Sequence, residues 1–207
     1  MKYIFVAGAP GSKWSSVVKN IYWSPSLDQS DFTEDRTYWH DASGEYQLMH
    51  LGAYWDPGME FGDKFNQLSR TPPEIAEKEF RRPFRKAKGT KIVKSHVFCH
   101  HLNYLKEEFP DCPVVVVSRD DDACLGWWVK CGHFDITYPS YDQYYVDLKH
   151  MAKHIQKQNA DARQFLDKNP GKAVATNHEL CRALGIQLPS TEYAQDYHKS
   201  DIEVYVV

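Results

Sequence analysis

The chain has 207 residues and a formal net charge of −3, with 42% apolar and 26% charged residues. This length favours a single domain over residues 1–207 with a sizeable core, and the composition argues against large-scale disorder. The charge gives no reason to expect a nucleic-acid surface. No apolar stretch reaches the roughly 20 residues that a membrane-spanning helix needs, so no membrane association is expected.

The first residues and the cysteines indicate a reducing compartment. Lys2 is followed only by a strand-length apolar run, which is not the pattern of a signal peptide. The five cysteines are scattered and include no Cys-x-x-Cys pair, as is typical of reduced thiols. We therefore expect a cytoplasmic protein. Cys99-His100-His101 lacks a second ligand pair at suitable spacing, so no metal site is predicted.

Strand-like and helix-like patterns alternate along the chain. Short apolar runs predict strands, and segments with helical spacing predict helices between them. The predicted elements, in chain order, are strand 2–7, helix 15–22, helix 73–86, strand 91–96, helix 99–108, strand 113–118, helix 121–131, helix 140–166, strand 172–176, helix 178–184 and an edge strand 202–207. The continuous β-branched run Val114–Val117 indicates burial on both faces of a parallel sheet. The fold class predicted is α/β, with three layers and a mostly parallel sheet flanked by helices.

The loop after the first strand has the composition of an anion-binding site. Its sequence is Ala9-Pro10-Gly11-Ser12-Lys13-Trp14-Ser15-Ser16. Backbone N–H groups and the dipole at a helix start favour oxyanions, and Lys13 adds a full positive charge. The loop is not a Walker A motif, because Gly11 and Lys13 are not adjacent and Trp14 stands where Ser or Thr should follow. An ordinary strand-to-helix turn with a solvated lysine is the alternative.

Two further predicted strands end in side chains that suit an anionic ligand. One ends in Lys94-Ser95-His96, and Arg119 follows the next strand. Because the carboxyl ends of parallel strands share one edge of a sheet, we expect these residues to lie beside the loop. A guanidinium suits a terminal phosphate, and an imidazole suits proton abstraction from a hydroxyl. Taken singly, each residue could equally have a packing or ion-pair role.

Together these motifs resemble those of sulfotransferases that use 3′-phosphoadenosine 5′-phosphosulfate (PAPS). The cytosolic branch of that family carries a loop of the type Tyr-Pro-Lys-Ser-Gly-Thr-Thr-Trp, which Pro10 and Ser12 match. Lys94-Ser95-His96 is a conservative version of the family's Lys-Thr-His motif. Arg119, with three aspartates after it, resembles the motif that binds the 3′-phosphate. The resemblance implies the P-loop-NTPase-like sulfotransferase fold.

The chain departs from the family pattern at three places. The loop lysine is Lys13, two positions later than in the family, and Gly11 stands in its place. Where the family has a serine for the 3′-phosphate, this chain offers Gly126 or Trp127. The family's C-terminal Arg-Lys-Gly element is absent, with His198-Lys199 as a possible cationic substitute.

The resemblance implies metal-free transfer of the sulfuryl group of PAPS to a hydroxyl of a small molecule or carbohydrate. In this hypothesis the amides of residues 8–16 hold the 5′-phosphosulfate, and Lys13 neutralises the leaving phosphate. Lys94 stabilises the sulfuryl group, His96 accepts the proton of the acceptor, and Arg119 binds the 3′-phosphate. An acceptor pocket is expected from residues 36–62, within the irregular insertion at residues 23–72, with the side chains of His40, His50, Tyr54, Trp55 and Glu60.

Two other functions stay open at this point. An ATP-dependent small-molecule kinase would need a carboxylate for Mg²⁺, which Asp120 could supply. A non-catalytic scaffold that binds an anionic ligand or a protein partner is compatible with the displaced lysine and the missing serine. The sequence identifies neither the acceptor nor the oligomeric state.

Overall fold

The computed structural model describes residues 1–31, 37–39, 47–49, 51–54, 65–131, 146–190 and 201–207. The strands in this part of the chain are β1 (Tyr3–Gly8), β2 (Thr37–Trp39), β3 (Gln47–Met49), β4 (Ala53–Tyr54), β5 (Lys91–Ser95), β6 (Val114–Ser118), β7 (Lys172–Val174) and β8 (Glu203–Val206). The α-helices are α1 (Trp14–Tyr22), α2 (Pro73–Arg81), α3 (Leu102–Glu108), α4 (Asp121–Lys130), α5 (Leu148–Lys168) and α6 (Asn177–Leu184). Phe65–Arg70 and Val97–His100 form 3₁₀ turns.

Six of these strands form one sheet in the order β4-β5-β1-β6-β8-β7, and β2 pairs with β3 separately. The strands β4, β5, β1 and β6 run parallel to one another, which confirms the predicted α/β fold with a mostly parallel sheet. The C-terminal strand also forms, but its predicted position at the sheet edge is wrong. β8 lies between β6 and β7 and is antiparallel to both, because Val206 pairs with Val115 on one side and Lys172 on the other.

Apolar side chains cover both faces of the central strand β1. Tyr3 and Phe5 pack on one face against α2, α3 and α5. Ile4 and Val6 pack on the other face against α1 and α6. All four side chains are fully buried, as expected for a strand inside a parallel sheet with helices on both sides. The described part of the chain therefore has three layers.

Several element boundaries differ from the predicted ones for local reasons. Helix α2 ends at Arg81, short of the predicted residue 86, because Pro83 cannot continue a helix and Asp31 accepts the backbone N–H groups that follow it. The predicted helix 99–108 is divided into a 3₁₀ turn and α3. Helix α5 begins at Leu148, where the Asp147 carboxylate accepts the backbone N–H of His150 at 2.8 Å. Residues 140–145 of its predicted extent lie outside the described residues.

Two expectations concerned the cysteines, expected as reduced thiols, and the absence of a membrane-spanning helix. All five cysteines are buried, and none forms a disulfide. No helix in the described ranges is long and apolar enough to cross a membrane.

Candidate functional site

The loop of residues 9–13 opens between the carboxyl ends of three strands. β1 lies between β5 and β6, and near its end Ala7 pairs with Ser95 while Gly8 pairs with Val117. The loop that leaves Gly8 therefore begins beside the ends of both neighbouring strands. This is the edge of an open α/β sheet at which ligands generally bind. The structure thus brings the three predicted motifs to one place.

Gly11 lies against helix α4 with no room for a side chain. Its φ angle of 80° is in the left-handed region, and a Cβ atom at this position would lie 1.9 Å from the carbonyl oxygen of Cys124. A lysine at position 11, where the family has one, would therefore collide with the α4 backbone. The cation stands instead at Lys13, whose φ angle of 60° is also left-handed and which forms the N-cap of α1.

The loop contains a buried hydroxyl group, that of Ser12. Its side chain is fully buried, and its Oγ has no hydrogen-bond partner among the described residues. A Cβ atom on Gly8 would lie 2.7 Å from this Oγ, so the hydroxyl faces the backbone where β1 ends. Buried hydroxyls are normally hydrogen-bonded, so Ser12 Oγ is a candidate donor to a group bound in the loop.

The other predicted loop residues have distinct surroundings. Ala9 packs against α4 and α5, and Pro10 is buried. Ser16 Oγ donates to the Lys13 carbonyl at 2.7 Å and so reinforces the first turn of α1, while Ser15 is partly exposed. No side chain caps the start of α1, so the backbone N–H groups of its first turn are not satisfied in that way.

Lys94 and His96 lie together within a group of aromatic rings. The Lys94 side chain is fully buried, with its Nζ 5.8 Å from the Trp14 ring centre and 5.7 Å from that of Tyr54. The imidazole of His96 stacks on Trp14, with ring centres 4.0 Å apart, and its edge meets Tyr54 at 5.6 Å. The rings hold both cation-forming side chains beside the loop through cation–π and stacking contacts.

A hydrogen bond fixes which nitrogen of His96 is basic. His96 Nδ1 lies 2.5 Å from the Gly8 carbonyl oxygen, which can only accept, so Nδ1 carries the proton. The lone pair of the neutral ring is therefore on Nε2. Burial lowers the pKa of His96 to about 3; the Gly8 hydrogen bond opposes this shift, and the positive charge of Lys94 adds to it. His96 is accordingly neutral, and able to accept a proton at Nε2, at physiological pH.

Lys13 and Arg119 share a carboxylate that the sequence did not point to. Lys13 Nζ donates to Asp201 Oδ1 at 2.9 Å, and Arg119 Nε and Nη2 donate to Asp201 Oδ2 at 3.1 and 2.7 Å. Arg119 Nη1 also donates to the Gly11 carbonyl at 2.8 Å. Lys13 is thus paired on the Arg119 side of the loop. Its Nζ also lies 4.9 Å from the ring centre of Trp127.

The carboxyl end of β6 is held by hydrogen bonds to α5. Asn159 Nδ2 donates to the Arg119 carbonyl at 3.1 Å and to Asp121 Oδ1 at 2.7 Å. The Asp120 carboxylate caps α4 by accepting the backbone N–H of Ala123 at 3.0 Å. These contacts fix the turn that carries Arg119, whose side chain is 7% exposed.

The predicted acceptor-pocket residues are only partly covered by the structure. Tyr54 lies beside Lys94 and His96, as given above. His40, His50, Trp55 and Glu60 lie outside the described residues, as do His198 and Lys199. The structure adds Asp201 and the stacking role of Trp14. For Asp201 the only signal in the sequence was a carboxylate directly before the alternating strand at the C-terminus.

A second partly buried histidine, His154, lies near His96. His154 Nε2 accepts from Gln158 Nε2 at 3.1 Å, and its ring centre is 6.4 Å from that of His100. Burial lowers the pKa of His154 to about 4, and the nearby side chains of His100, His96 and Lys157 lower it in the same direction. The imidazoles of His100 and His101 are engaged separately, by Asp161 and by Ser69. Within the described residues, no group of three or more His, Cys, Asp and Glu side chains could hold a metal ion.

The two partly buried histidines, His96 and His154, predict that acid destabilises the fold. Because their pKa values of about 3 and about 4 lie below the 6.5 of an unfolded histidine, the unfolded chain takes up protons first as pH falls. Each histidine should lower the free energy of unfolding by about 1.4 kcal/mol per pH unit below pH 6.5. Urea unfolding between pH 7 and pH 5, above the range where carboxylates titrate, measures this slope.

A matched pair of variants tests that assignment. His154→Gln should make the slope about half as steep, because one of two proton-uptake sites is lost. His178→Gln, at an exposed position of α6, serves as the control and should leave the slope unchanged. Equal slopes for wild type and His154→Gln would show that His154 is not held neutral by the fold.

Comparisons of the chain with models of protein families, with curated proteins and with solved structures find no match. A functional conclusion therefore depends on the chain's own residues.

Proposed function

We propose that the chain is a PAPS-dependent sulfotransferase that transfers the sulfuryl group to a hydroxyl of a small molecule or carbohydrate. The support is the joint position of an anion-type loop, a buried lysine and a histidine with its basic nitrogen defined. The observation that carries the proposal is the hydrogen bond from His96 Nδ1 to the Gly8 carbonyl. It ties the candidate base directly to the strand end from which the loop departs.

In the proposed reaction the donor's phosphosulfate is bound by the amides at the start of α1 and by Ser12 Oγ. The acceptor oxygen attacks sulfur in line, a new S–O bond forms, and the S–O bond to the phosphate breaks. The acceptor's proton passes to His96 Nε2, and adenosine 3′,5′-bisphosphate leaves. Lys94 stabilises the negative charge on the sulfuryl oxygens, and its burial strengthens that interaction. The negative charge of the bound donor favours the protonated imidazole, so it raises the pKa of His96 towards the physiological range.

Arg119 and Lys13 form the second part of the proposed site. Arg119 is bonded to the Gly11 carbonyl, so it lies against the loop from the β6 side. We assign the 3′-phosphate to this side, where both cations are available to it. Lys13 is paired here, so its proposed partner changes from the leaving 5′-phosphate to the 3′-phosphate.

Thermal unfolding with different nucleotides separates this function from its alternatives. Adenosine 3′,5′-bisphosphate at 100 times its Kd should stabilise the chain by about 2.7 kcal/mol. ATP with Mg²⁺ should stabilise it less, because the 3′-phosphate is missing and the Asp120 carboxylate is used as a helix cap. Stabilisation by ATP with Mg²⁺ alone would favour the kinase instead. Binding of the bisphosphate without any transfer from PAPS would favour the non-catalytic scaffold.

A further inference from the structure

The carboxylate of Asp201 occupies a position that an anionic ligand group would take. It accepts three hydrogen bonds from two cations, at 2.9 Å from Lys13 and at 3.1 and 2.7 Å from Arg119. The Nε and Nη2 atoms of an arginine are the donors that bind carboxylate and phosphate side-on. A phosphate bound at this face of Arg119 would need the same donors. The two anions therefore exclude each other.

The neighbouring aspartates are engaged differently. Asp120 caps a helix, and Asp121 accepts from Asn159, so both carboxylates bond to groups that hold the fold together. Asp201 instead bonds to the two cations assigned to ligand binding. Its side chain is 55% exposed, whereas the Arg119 side chain is 7% exposed. When this ion pair breaks, the exposed Asp201 carboxylate can turn towards solvent, while the buried Arg119 guanidinium stays in place.

Backbone conformation also favours exchange. Lys13 and Asp201 have φ angles of 60° and 54°, and within the described residues they are the only non-glycine residues with positive φ. Left-handed backbone is unfavourable for a residue other than glycine. The ion pair thus joins two residues in unfavourable conformations.

We propose that Asp201 is a specificity-determining residue, an internal competitor that holds the phosphate position of Lys13 and Arg119 in the free chain. A ligand phosphate displaces it on binding. A phosphate dianion recovers the lost ion pairs because it carries two charges and more acceptor oxygens, whereas a neutral ribose hydroxyl does not. Asp201 therefore selects ligands with a multiply charged group at this position. This inference rests on the anion site of the proposed function.

Titration calorimetry at fixed ionic strength tests the competition, with pyrophosphate and adenosine 3′,5′-bisphosphate as probes. Asp201→Asn keeps the size of the side chain, and asparagine tolerates left-handed backbone. It should bind both probes about tenfold more tightly than wild type, since a competing charge is removed. Asp201→Gly suits the same backbone and should also bind more tightly. Glu203→Gln, at an exposed position two residues beyond Asp201, removes an equal charge nearby and should leave affinity nearly unchanged.

The outcomes separate this inference from the proposed function. Equal or weaker binding by Asp201→Asn and Asp201→Gly, with wild type binding the bisphosphate, overturns the competition and leaves the proposed function standing. Tighter pyrophosphate binding by both variants, with no binding of the bisphosphate, supports the competition and overturns the proposed function. A tenfold gain for Glu203→Gln as well would show a general charge effect and overturn the specific role of Asp201.

Discussion

Replacing His96 with asparagine is expected to lower the rate of sulfuryl transfer about 10²–10⁴-fold, the contribution of a positioned general base. An asparagine amide can still donate to the Gly8 carbonyl, as His96 Nδ1 does at 2.5 Å, but it has no counterpart of Nε2. Binding of adenosine 3′,5′-bisphosphate should therefore stay close to that of wild type. Single-turnover transfer from PAPS, measured beside calorimetric binding, separates the two effects.

The control for this variant is His101→Asn. His101 is also a histidine at the end of the 3₁₀ turn, but its Nδ1 lies 2.5 Å from Ser69 Oγ and it has no place in the proposed reaction. Its replacement should leave the transfer rate unchanged. A His96→Asn protein that transfers the sulfuryl group as fast as wild type would exclude His96 as the base.

Replacing Gly11 with alanine is expected to lower the free energy of unfolding by about 3 kcal/mol or more. The added Cβ would lie 1.9 Å from the Cys124 carbonyl oxygen, and alanine would also be forced into a φ angle of 80°. The clash and the unfavourable φ angle would both distort the loop, so the binding of adenosine 3′,5′-bisphosphate should weaken as well. Urea unfolding and calorimetry measure the two effects.

Gly126 provides the matched control in the helix against which Gly11 packs. A Cβ atom there would meet nothing within 4 Å, and the residue lies inside α4. Gly126→Ala should therefore stabilise the fold by about 0.5–1 kcal/mol through helix propensity. A Gly11→Ala protein as stable as wild type would mean that the loop does not lie against α4 as described.

The parts of the fold that depend on local pattern could be predicted from the sequence. The β-branched run Val114–Val117 and the breaks around the other strands were enough for a mostly parallel α/β sheet, because burial on both faces leaves a clear apolar signal. The position of β8 was not predictable in the same way. Its alternating pattern suits an edge or an inner strand equally, and its neighbours are chosen by backbone pairing over long separations.

The candidate site likewise has features that local sequence predicts and features that depend on contacts between distant residues. Lys94 lies near the end of β5 and His96 directly follows it, so their proximity to the loop needed only the rule that parallel strands end at one edge. The pairing of Lys13 with Asp201 joins residues 188 positions apart and depends on where β8 enters the sheet. No pattern in the sequence shows that a side chain has no room at position 11, because this depends on the α4 backbone packed against Gly11.

The central claim is tested most directly by following the sulfuryl group itself. The chain would be incubated with PAPS labelled at sulfur and a mixture of phenols, alcohols and sugars, and the products separated by chromatography. We expect the label on a hydroxyl acceptor, with one adenosine 3′,5′-bisphosphate released per transfer, and a loss of this product with His96→Asn. Label that stays on PAPS, while the γ-phosphoryl group of ATP moves to the same mixture in the presence of Mg²⁺, would contradict the account.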